Sequence, residues 1–251
     1  MSQKDIFSSV NEMYELVPFP QYDHDERVHN LPDEILRYKY LNIDSKMKGA
    51  RMLDVGCGTG DRSILVAKHY KVKELVGLDA CKNSLEIASK VAQEEAYPFF
   101  TPVNGSLFEI PFQDNYFDIV VSWGVLHHTG DPFEGLKEMK RVCKEGGFIG
   151  FFVYNSYADW RHNLQRKEIS RKGGKTIKSR LDFALKKYSK RPFNSLTKYE
   201  ISRFYDQYVQ PHKSDHTLEE ILSWQKALNL DYSGSFPPIQ IKQTINYIKE
   251  I

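Results

Sequence analysis

Residues 53–60, which read Leu-Asp-Val-Gly-Cys-Gly-Thr-Gly, constrain the fold more than any other stretch of the chain. A short apolar run ends here in three glycines, and an amphipathic stretch from Ile64 to Lys68 follows. This pattern predicts a strand, a tight turn and a helix. Because glycines let the backbone approach a ligand closely, the turn predicts a binding site.

The spacing of the glycines and the charges near them indicate the ligand. Gly56, Gly58 and Gly60 alternate with other residues, whereas a dinucleotide-binding loop has its third glycine five residues after the first. Asp54 would repel a pyrophosphate but attract a ligand that carries an ammonium and a sulfonium, as S-adenosylmethionine does. Asp79 ends a second apolar run, 23 residues after Gly56, where a carboxylate can accept hydrogen bonds from two ribose hydroxyls.

Further motifs follow the glycine loop in order. They are Ile110-Pro111-Phe112, Asp114-Asn115, 117–122, Leu126-His127-His128, Asp131-Pro132, Leu136, Glu138, Arg141-Val142 and Gly146-Gly147. Together with the loop, this ordered set resembles the class I S-adenosylmethionine-dependent methyltransferases over residues 50–154. The resemblance implies S-adenosyl-L-methionine as the cofactor and methyl transfer as the reaction.

The alternation of apolar runs and helical patterns predicts a doubly wound α/β fold with a mostly parallel sheet. Strands are expected at 50–55, 74–79, 98–103, 117–122 and 147–154, a sixth at 230–236 and a seventh within 239–248. One helix is expected to begin at Asp131-Pro132 with a capping box closed by Glu134, and another with a box formed by Thr217 and Glu220.

The resemblance also implies which residues contact the cofactor. They are Asp54, Gly56, Cys57, Gly58, Gly60, Asp79, Ala80, Ser106, Leu107 and Ser122. One position departs from the family, which usually has an acidic residue after Gly105 to accept from the adenine amino group. The hydroxyl of Ser106 can accept that hydrogen bond, and the backbone of Leu107 can contact the adenine edge.

Catalysis of methyl transfer depends mainly on alignment, and a base is needed only where the acceptor must lose a proton. His127 and His128 follow the fourth predicted strand, at the sheet edge where ligands bind in such folds, so either could be that base. The alternative for each is a histidine that packs the loop. Tyr14, Tyr22 and Tyr208, in aromatic segments, are the next candidates.

We expect a single methyltransferase domain, 1–251, with a cofactor-binding core at 50–154. Two further segments flank this core. Residues 1–45 form an aromatic N-terminal extension, which in related family members tends to close over the cofactor; it could equally be an N-terminal helix packed by an apolar stretch. Residues 155–215 form a basic insert after the fifth strand, with fifteen Lys and Arg against six Asp and Glu. The insert could attract an anionic substrate, or it could be a solvated helical cap.

The absence of certain motifs narrows the range of possible acceptor molecules. Residues 122–125 read Ser-Trp-Gly-Val rather than the Asn/Asp-Pro-Pro-aromatic motif of enzymes that methylate base amines. What remains resembles the branch that methylates small molecules, including quinone precursors, amines and sugars. An RNA methyltransferase that docks RNA on the insert, and a module that binds S-adenosylmethionine without turnover, are the alternatives.

Three widely spaced cysteines indicate neither a disulfide framework nor a zinc site, so no metal is expected. The longest apolar run, 148–154, is far shorter than a membrane span, and residues 1–10 lack the apolar core of a signal peptide. We therefore expect a cytoplasmic protein without a membrane partner.

Overall fold

The computed structural model describes residues 2–235. Its central sheet has five parallel strands in the spatial order β3-β2-β1-β4-β5. The strands are β1 (Arg51–Val55), β2 (Glu74–Asp79), β3 (Phe100–Asn104), β4 (Phe117–Trp123) and β5 (Cys143–Phe152). The order reverses between β1 and β4, which opens a crevice for ligands at the carboxyl ends of these strands.

Helices follow or precede each strand. They are α1 (Gln3–Leu16), α2 (His24–Tyr40), α3 (Ser63–Tyr70), α4 (Lys82–Glu94) and α5 (Pro132–Val142). After β5 come the short strand β6 (Tyr154–Asn155), α6 (Trp160–Lys172), α7 (Ile177–Tyr188), α8 (Lys198–Phe204), a π-helical turn (Tyr205–Val209), β7 (Asp215–His216) and α9 (Leu218–Ala227). The predicted doubly wound fold with a helical insert after the fifth strand is confirmed.

Successive side chains along each strand point to opposite faces of the sheet, and they build two apolar layers. Met52 packs in the layer that also contains Tyr38 of α2, whereas its neighbour Leu53 packs in the layer that contains Met139 of α5. Ile119 and Val120 of β4 separate in the same way. Both faces of the sheet are therefore covered, which explains why the strands read as nearly continuous apolar runs.

Some sequence predictions about the elements were wrong. Residues 230–235 contain no strand, and the seventh strand proposed within 239–248 lies outside the described residues. β5 begins four residues earlier than expected, at Cys143, because Cys143 pairs with Phe117 before a register shift. Only half of each expected box forms: Asp131 and Thr217 accept from the backbone N–H groups of Glu134 and Glu220.

The other halves of the two boxes do not form, because both glutamate carboxylates lie against other side chains. The carboxylate of Glu134 pairs with Lys137, 3.1 Å away, and that of Glu220 with His216, 3.0 Å away. Neither carboxylate therefore turns back to its cap residue.

Candidate active site

A cavity lies at the carboxyl ends of β1, β2 and β4, with about 1040 Å³ of space between its walls, counting the part open to solvent. Its floor consists of the glycine loop after β1 and the residues that follow β2, β3 and β4. Its roof consists of α1 and the segment Phe19–Pro20. The switch point of the sheet has thus become a roofed pocket.

The glycine loop is held against the end of β2 by Asp79. Its Oδ2 accepts from the backbone N–H of Gly58 and its Oδ1 from that of Cys81, each at 2.8 Å. Burial raises the pKa of this carboxyl despite both hydrogen bonds. Each carboxylate oxygen retains a second lone pair, so Asp79 can still accept from vicinal hydroxyls of a ligand.

Two glycines of the loop have neighbours that leave no room for a side chain. Gly56 and Gly58 have φ of +74° and +54°, in the left-handed region. A β-carbon on Gly56 would overlap the side chain of Val125, and one on Gly58 would overlap the carbonyl oxygen of Phe19. The loop therefore needs glycine both for its backbone shape and for the close approach of the N-terminal segment.

Asp54 closes the floor of the cavity beneath the loop. It is buried, with 4% of its surface exposed, and it lines the cavity. Burial raises its pKa to about 7, so near neutral pH the group is poised between its neutral and ionised forms. A cationic ligand group beside it would favour the ionised form.

Among the described residues, Arg62 is the only Lys or Arg that lines the cavity. It lies at the start of α3, with its guanidinium 5.7 Å from the ring centre of Phe19 and its Nε 3.8 Å from Glu34. Its Nε is buried without a hydrogen-bond partner in the described part of the chain. A donor of this kind can take a ligand carboxylate, such as that of an amino-acid moiety.

The N-terminal segment is tied to the loop by polar contacts as well as by packing. The hydroxyl of Thr59 donates to the carbonyl oxygen of Pro20, and the carboxylate of Asp61 accepts from the backbone N–H of Tyr22. The guanidinium of Arg27 lies 3.0 Å from Asp61 Oδ1, and both side chains are nearly fully buried. Roof and floor therefore share one hydrogen-bonded network.

In another part of the cavity wall, α1 meets the loop after β4. Tyr14 and His128 both line the wall there. The hydroxyl of Tyr14 donates to Asp206 Oδ1 at 2.7 Å, and the same oxygen lies 3.8 Å from His128 Nε2. His128 Nδ1 lies 2.8 Å from the carbonyl oxygen of His212.

Burial lowers the pKa of His128 to about 4, although the carboxylate of Asp206 opposes that shift. The imidazole is therefore neutral near pH 7. Burial, followed by the charge of Asp206, also raises the pKa of Tyr14 well above its usual value, so its hydroxyl keeps its proton.

Most of the sequence-predicted cofactor residues line this cavity. They are Asp54, Gly56, Cys57, Gly58, Asp79, Ala80 and Leu107. The remaining three lie outside the wall: Gly60 packs on Ile64, Ser106 Oγ accepts from the N–H of Phe108, and the buried hydroxyl of Ser122 donates to the carbonyl of Val55. Leu107, rather than Ser106, therefore faces the pocket.

The catalytic candidates divide in the same way. Tyr14 and His128 line the cavity, whereas His127 packs behind it against His128 and Tyr154, with ring centres 4.1 and 4.4 Å apart. Tyr22 packs on Tyr199 at 4.3 Å, and Tyr208 stacks on Tyr188 at 5.6 Å inside the insert. The structure brings only two of the five candidates together at the cavity.

Sequence reasoning missed two functional candidates, Arg62 and Asp206, and it named Tyr14 but no other residue of the α1 roof. A signal existed for Arg62, since it immediately follows the glycine loop at the start of α3. None existed for Asp206, which lies 192 positions from Tyr14. The insert supplies no residue to the wall, although it supports Tyr14 and His128 from behind.

Comparison with known proteins agrees with this geometry. Residues 53–151 match the family described as a methyltransferase domain. The chain is 34% identical to a demethylmenaquinone methyltransferase of Bacillus velezensis over 57% of its own length and 58% of the relative's. It is 30% identical to the enzyme of the same name from Bacillus pumilus, over 61% of this chain and 67% of that one.

The chain therefore belongs to the class I S-adenosylmethionine-dependent methyltransferases, as predicted, and the family's cofactor is S-adenosylmethionine. The chain spans about 58% of the first relative's length and 67% of the second's. The acceptor that their names give is that of the relatives and is not assigned to this chain by the similarity.

Solved structures support the fold alone. A methyltransferase from Thermotoga maritima, described as a possible histamine N-methyltransferase, superposes with a TM-score of 0.51 at 14% identity, covering 87% of this chain and 80% of that one. The YcgJ protein of Bacillus subtilis superposes with a TM-score of 0.50 at 21% identity, covering 76% and 68%.

Within residues 2–235, no three His, Cys, Asp or Glu side chains are grouped so as to hold a metal ion. None of the helices described there is long and apolar enough to cross a bilayer.

Proposed function

We propose that this protein transfers a methyl group from S-adenosylmethionine to a small-molecule acceptor bound beside Tyr14 and His128 in the cavity. One observation carries the proposal: the glycine loop with Asp54 and Asp79, and the side chains of Tyr14 and His128, all line the same pocket. A cofactor site and side chains that can exchange a proton thus share one roofed space, which suits methyl transfer to an acceptor that must lose a proton.

The residues present fit the cofactor. Asp79 would accept from the ribose hydroxyls, Asp54 would face the cationic part of the methionine moiety, and Arg62 would take its carboxylate. S-adenosylmethionine supplies an electrophilic methyl group. The chain's own part is to align the acceptor, exclude water beneath α1 and hold a proton acceptor at His128 Nε2.

His128, rather than His127, is the better candidate for a general base. His128 lines the cavity, and its Nε2 has no hydrogen-bond partner among the described residues. His127 lies behind it and its pKa is lowered well below the usual value, chiefly by burial. A base must reach the proton that it accepts, and only His128 borders the space where an acceptor fits.

The names of the relatives suggest which acceptors to test first. Because the Bacillus relatives are named demethylmenaquinone methyltransferases, hydroxylated quinone precursors should head the panel. The anionic acceptor expected from the basic insert has less support. The wall contains the carboxylates Asp54 and Asp79 against the single guanidinium of Arg62, and no residue of the insert belongs to it.

The experiment is a methyl-transfer assay with isotopically labelled S-adenosylmethionine over quinols, phenols, amines and RNA, preceded by mass spectrometry of molecules that co-purify with the protein. Calorimetry should show S-adenosylhomocysteine binding, and labelled methyl should appear in a small molecule. Transfer to RNA would favour the alternative that uses the insert. Cofactor binding without transfer to any acceptor would favour a non-catalytic module.

A further inference from the structure

Two side chains of the cavity wall converge on a carboxylate behind it. Tyr14 Oη donates to Asp206 Oδ1 at 2.7 Å, and His128 Nε2 lies 3.8 Å from the same oxygen. Asp206 belongs to the π-helical turn, and its side chain is only 12% exposed. Turns of this kind occur often at functional sites. Tyr14 and Asp206 both lie outside residues 53–151, so the family match assigns neither.

The hydrogen bonds of His128 define what it can offer a ligand. A carbonyl oxygen only accepts, so the contact of His128 Nδ1 with the carbonyl of His212 at 2.8 Å places the proton of the neutral ring on Nδ1. Nε2 then carries the lone pair. It is buried and unpartnered among the described residues, and a buried acceptor of this kind favours a ligand that brings a donor.

We infer that Asp206 is a positioning residue of the acceptor site: it holds Tyr14 against the cavity and stabilises His128 when Nε2 takes a proton from a hydroxyl-bearing acceptor. The inference deepens the proposed function and rests on it.

The proton and electrons balance as follows. The hydroxyl proton moves to Nε2, and its bonding pair remains on the acceptor as an oxyanion. That oxygen, or the ring carbon conjugated with it, bonds to the methyl carbon, and the pair of the broken carbon–sulfur bond stays on sulfur. His128 later returns the proton to solvent. An acceptor methylated on carbon also loses the hydrogen of that carbon as a proton to solvent, and the C–H bonding pair restores the conjugated ring and the oxyanion.

Among the charged and titratable groups around His128, Asp206 is the one whose charge stabilises the protonated form of His128. The groups that face it are Tyr14 of α1, the adjacent His127, Tyr154 of β6, Arg166 of α6, Asp206 of the π-helical turn and His212. Of these, the cation Arg166 opposes protonation of His128. Arg166 donates to the carbonyl oxygens of Gln207 and Gln210, so it fixes the backbone of the turn that presents Asp206.

The same arrangement selects against an anion in this part of the cavity. A carboxylate or phosphate would face the lone pair of Nε2 and the charge of Asp206, whereas a neutral hydroxyl supplies the missing donor. His128 Nε2 should therefore recognise a ligand that donates a hydrogen bond.

The recognition is tested with the full chain saturated with S-adenosylhomocysteine and three probes on one ring system: 2-naphthol, 2-methoxynaphthalene and 2-naphthoate. Nitrogen-15 NMR follows His128 Nε2, assigned with His128→Asn. We expect 2-naphthol to shift the Nε2 resonance and to bind at least about tenfold more tightly than its methyl ether, since the ether leaves Nε2 unpaired. Equal affinities, or 2-naphthol bound without a shift of Nε2, would overturn the assignment.

The carboxylate is tested with Asp206→Asn, which keeps an oxygen for Tyr14 and removes the charge. We expect kcat for a hydroxyl acceptor to fall at least about 30-fold, the affinity for S-adenosylhomocysteine to change less than about twofold, and the loss to shrink as the acceptor hydroxyl becomes more acidic. Asp182→Asn, an exposed change on α7, is the matched control and should be near normal.

The possible failures are distinguishable. Unchanged kcat in Asp206→Asn, or a loss that is the same for every acceptor acidity, contradicts the role of Asp206 but leaves methyl transfer intact. Wild-type protein that does not bind S-adenosylhomocysteine contradicts the proposed function itself.

Discussion

The guanidinium of Arg27 lies 3.0 Å from Asp61 Oδ1, with 4% and 1% of the two side chains exposed. The pair joins α2 to the residue that follows the glycine loop. Arg27 also contacts Glu94 at 2.6 Å and Glu95 at 3.3 Å, at the end of α4. One buried cation thus connects the N-terminal extension, the cofactor loop and the helix after β2.

Arg27→Gln should therefore destabilise the protein strongly. Removing one partner of a buried ion pair leaves the other charge uncompensated and costs about 3 to 5 kcal/mol of the free energy of unfolding. Urea denaturation measures the loss. The matched control is Lys137→Gln, which breaks an exposed pair with Glu134 and should cost no more than about 1 kcal/mol. Equal losses in the two variants would show that the buried network contributes no more to the free energy of unfolding than an exposed ion pair does.

Asp79→Asn should weaken cofactor binding. The amide retains one acceptor oxygen but turns an NH₂ group toward one of the two backbone N–H donors, Gly58 or Cys81. We expect calorimetry to show a loss of about 1 to 3 kcal/mol in the affinity for S-adenosylmethionine. Glu86→Gln, an exposed change on α4, should have no effect. Unchanged affinity in Asp79→Asn would remove Asp79 from the cofactor site.

Much of the cofactor site could be predicted because its residues are close in sequence. Asp54, Gly56 and Gly58 occupy one strand and turn, so their spacing alone fixes their relative positions. Asp79 follows at the next strand, whose register with β1 is set by the parallel sheet. Local geometry and one strand pairing were sufficient.

The part of the cavity beside Tyr14 and His128 could not be predicted because tertiary packing creates it. Tyr14 meets Asp206 only when α1 lies across the sheet edge and the insert packs behind it. The two adjacent histidines also look alike in sequence, yet the loop after β4 turns His128 toward the cavity and His127 away from it. No periodicity encodes that choice.

Cofactor affinity should rise with pH because of Asp54. Its pKa is raised by burial to about 7, and a cationic ligand binds better to its ionised form. Between pH 5 and 6 the ionised fraction of such a group grows about ninefold, while the ligand's amino group stays protonated. Calorimetry should show that gain in the wild type with release of protons. In Asp54→Asn both effects should be absent; a persisting gain would point to another group.

The same shift has the opposite effect on stability without the ligand. A carboxyl whose pKa is higher in the folded than in the unfolded state binds more protons when folded, so the free energy of unfolding falls as pH rises from about 4 to about 7. Urea titrations of wild type and Asp54→Asn should therefore differ in slope across that window. Parallel pH dependences would show that Asp54 is not protonated in the folded protein.

Charge reversal at Lys186 and Lys190 should leave acceptor affinity and its salt dependence unchanged if the acceptor is neutral. Both residues border a groove on the insert together with Arg191, away from the cavity. Lys187 is omitted because it pairs with Glu168 at 2.5 Å. KM for the acceptor at two salt concentrations checks the expectation. A rise in KM that disappears at high salt would support steering of an anion, and lost RNA binding would support the RNA alternative.

Gly58→Ala should release the N-terminal roof. A β-carbon at this position would overlap the carbonyl oxygen of Phe19, so either the loop or residues 18–22 must shift. We expect faster hydrogen exchange in residues 14–22 and weaker binding of S-adenosylhomocysteine, because the roof and the floor separate. Exchange measured by mass spectrometry, peptide by peptide, reports the first effect and calorimetry the second.

Gly146→Ala separates this clash from backbone strain. Gly146 has a φ of +71°, in the same left-handed region, but a β-carbon there would meet no atom within 4 Å. Both variants should thus lose a similar small amount of stability, on the order of 1 kcal/mol, from the positive φ alone. Only Gly58→Ala should also open residues 14–22. If Gly146→Ala speeds exchange there equally, general destabilisation is the cause, and the contact between Phe19 and Gly58 does not hold the roof.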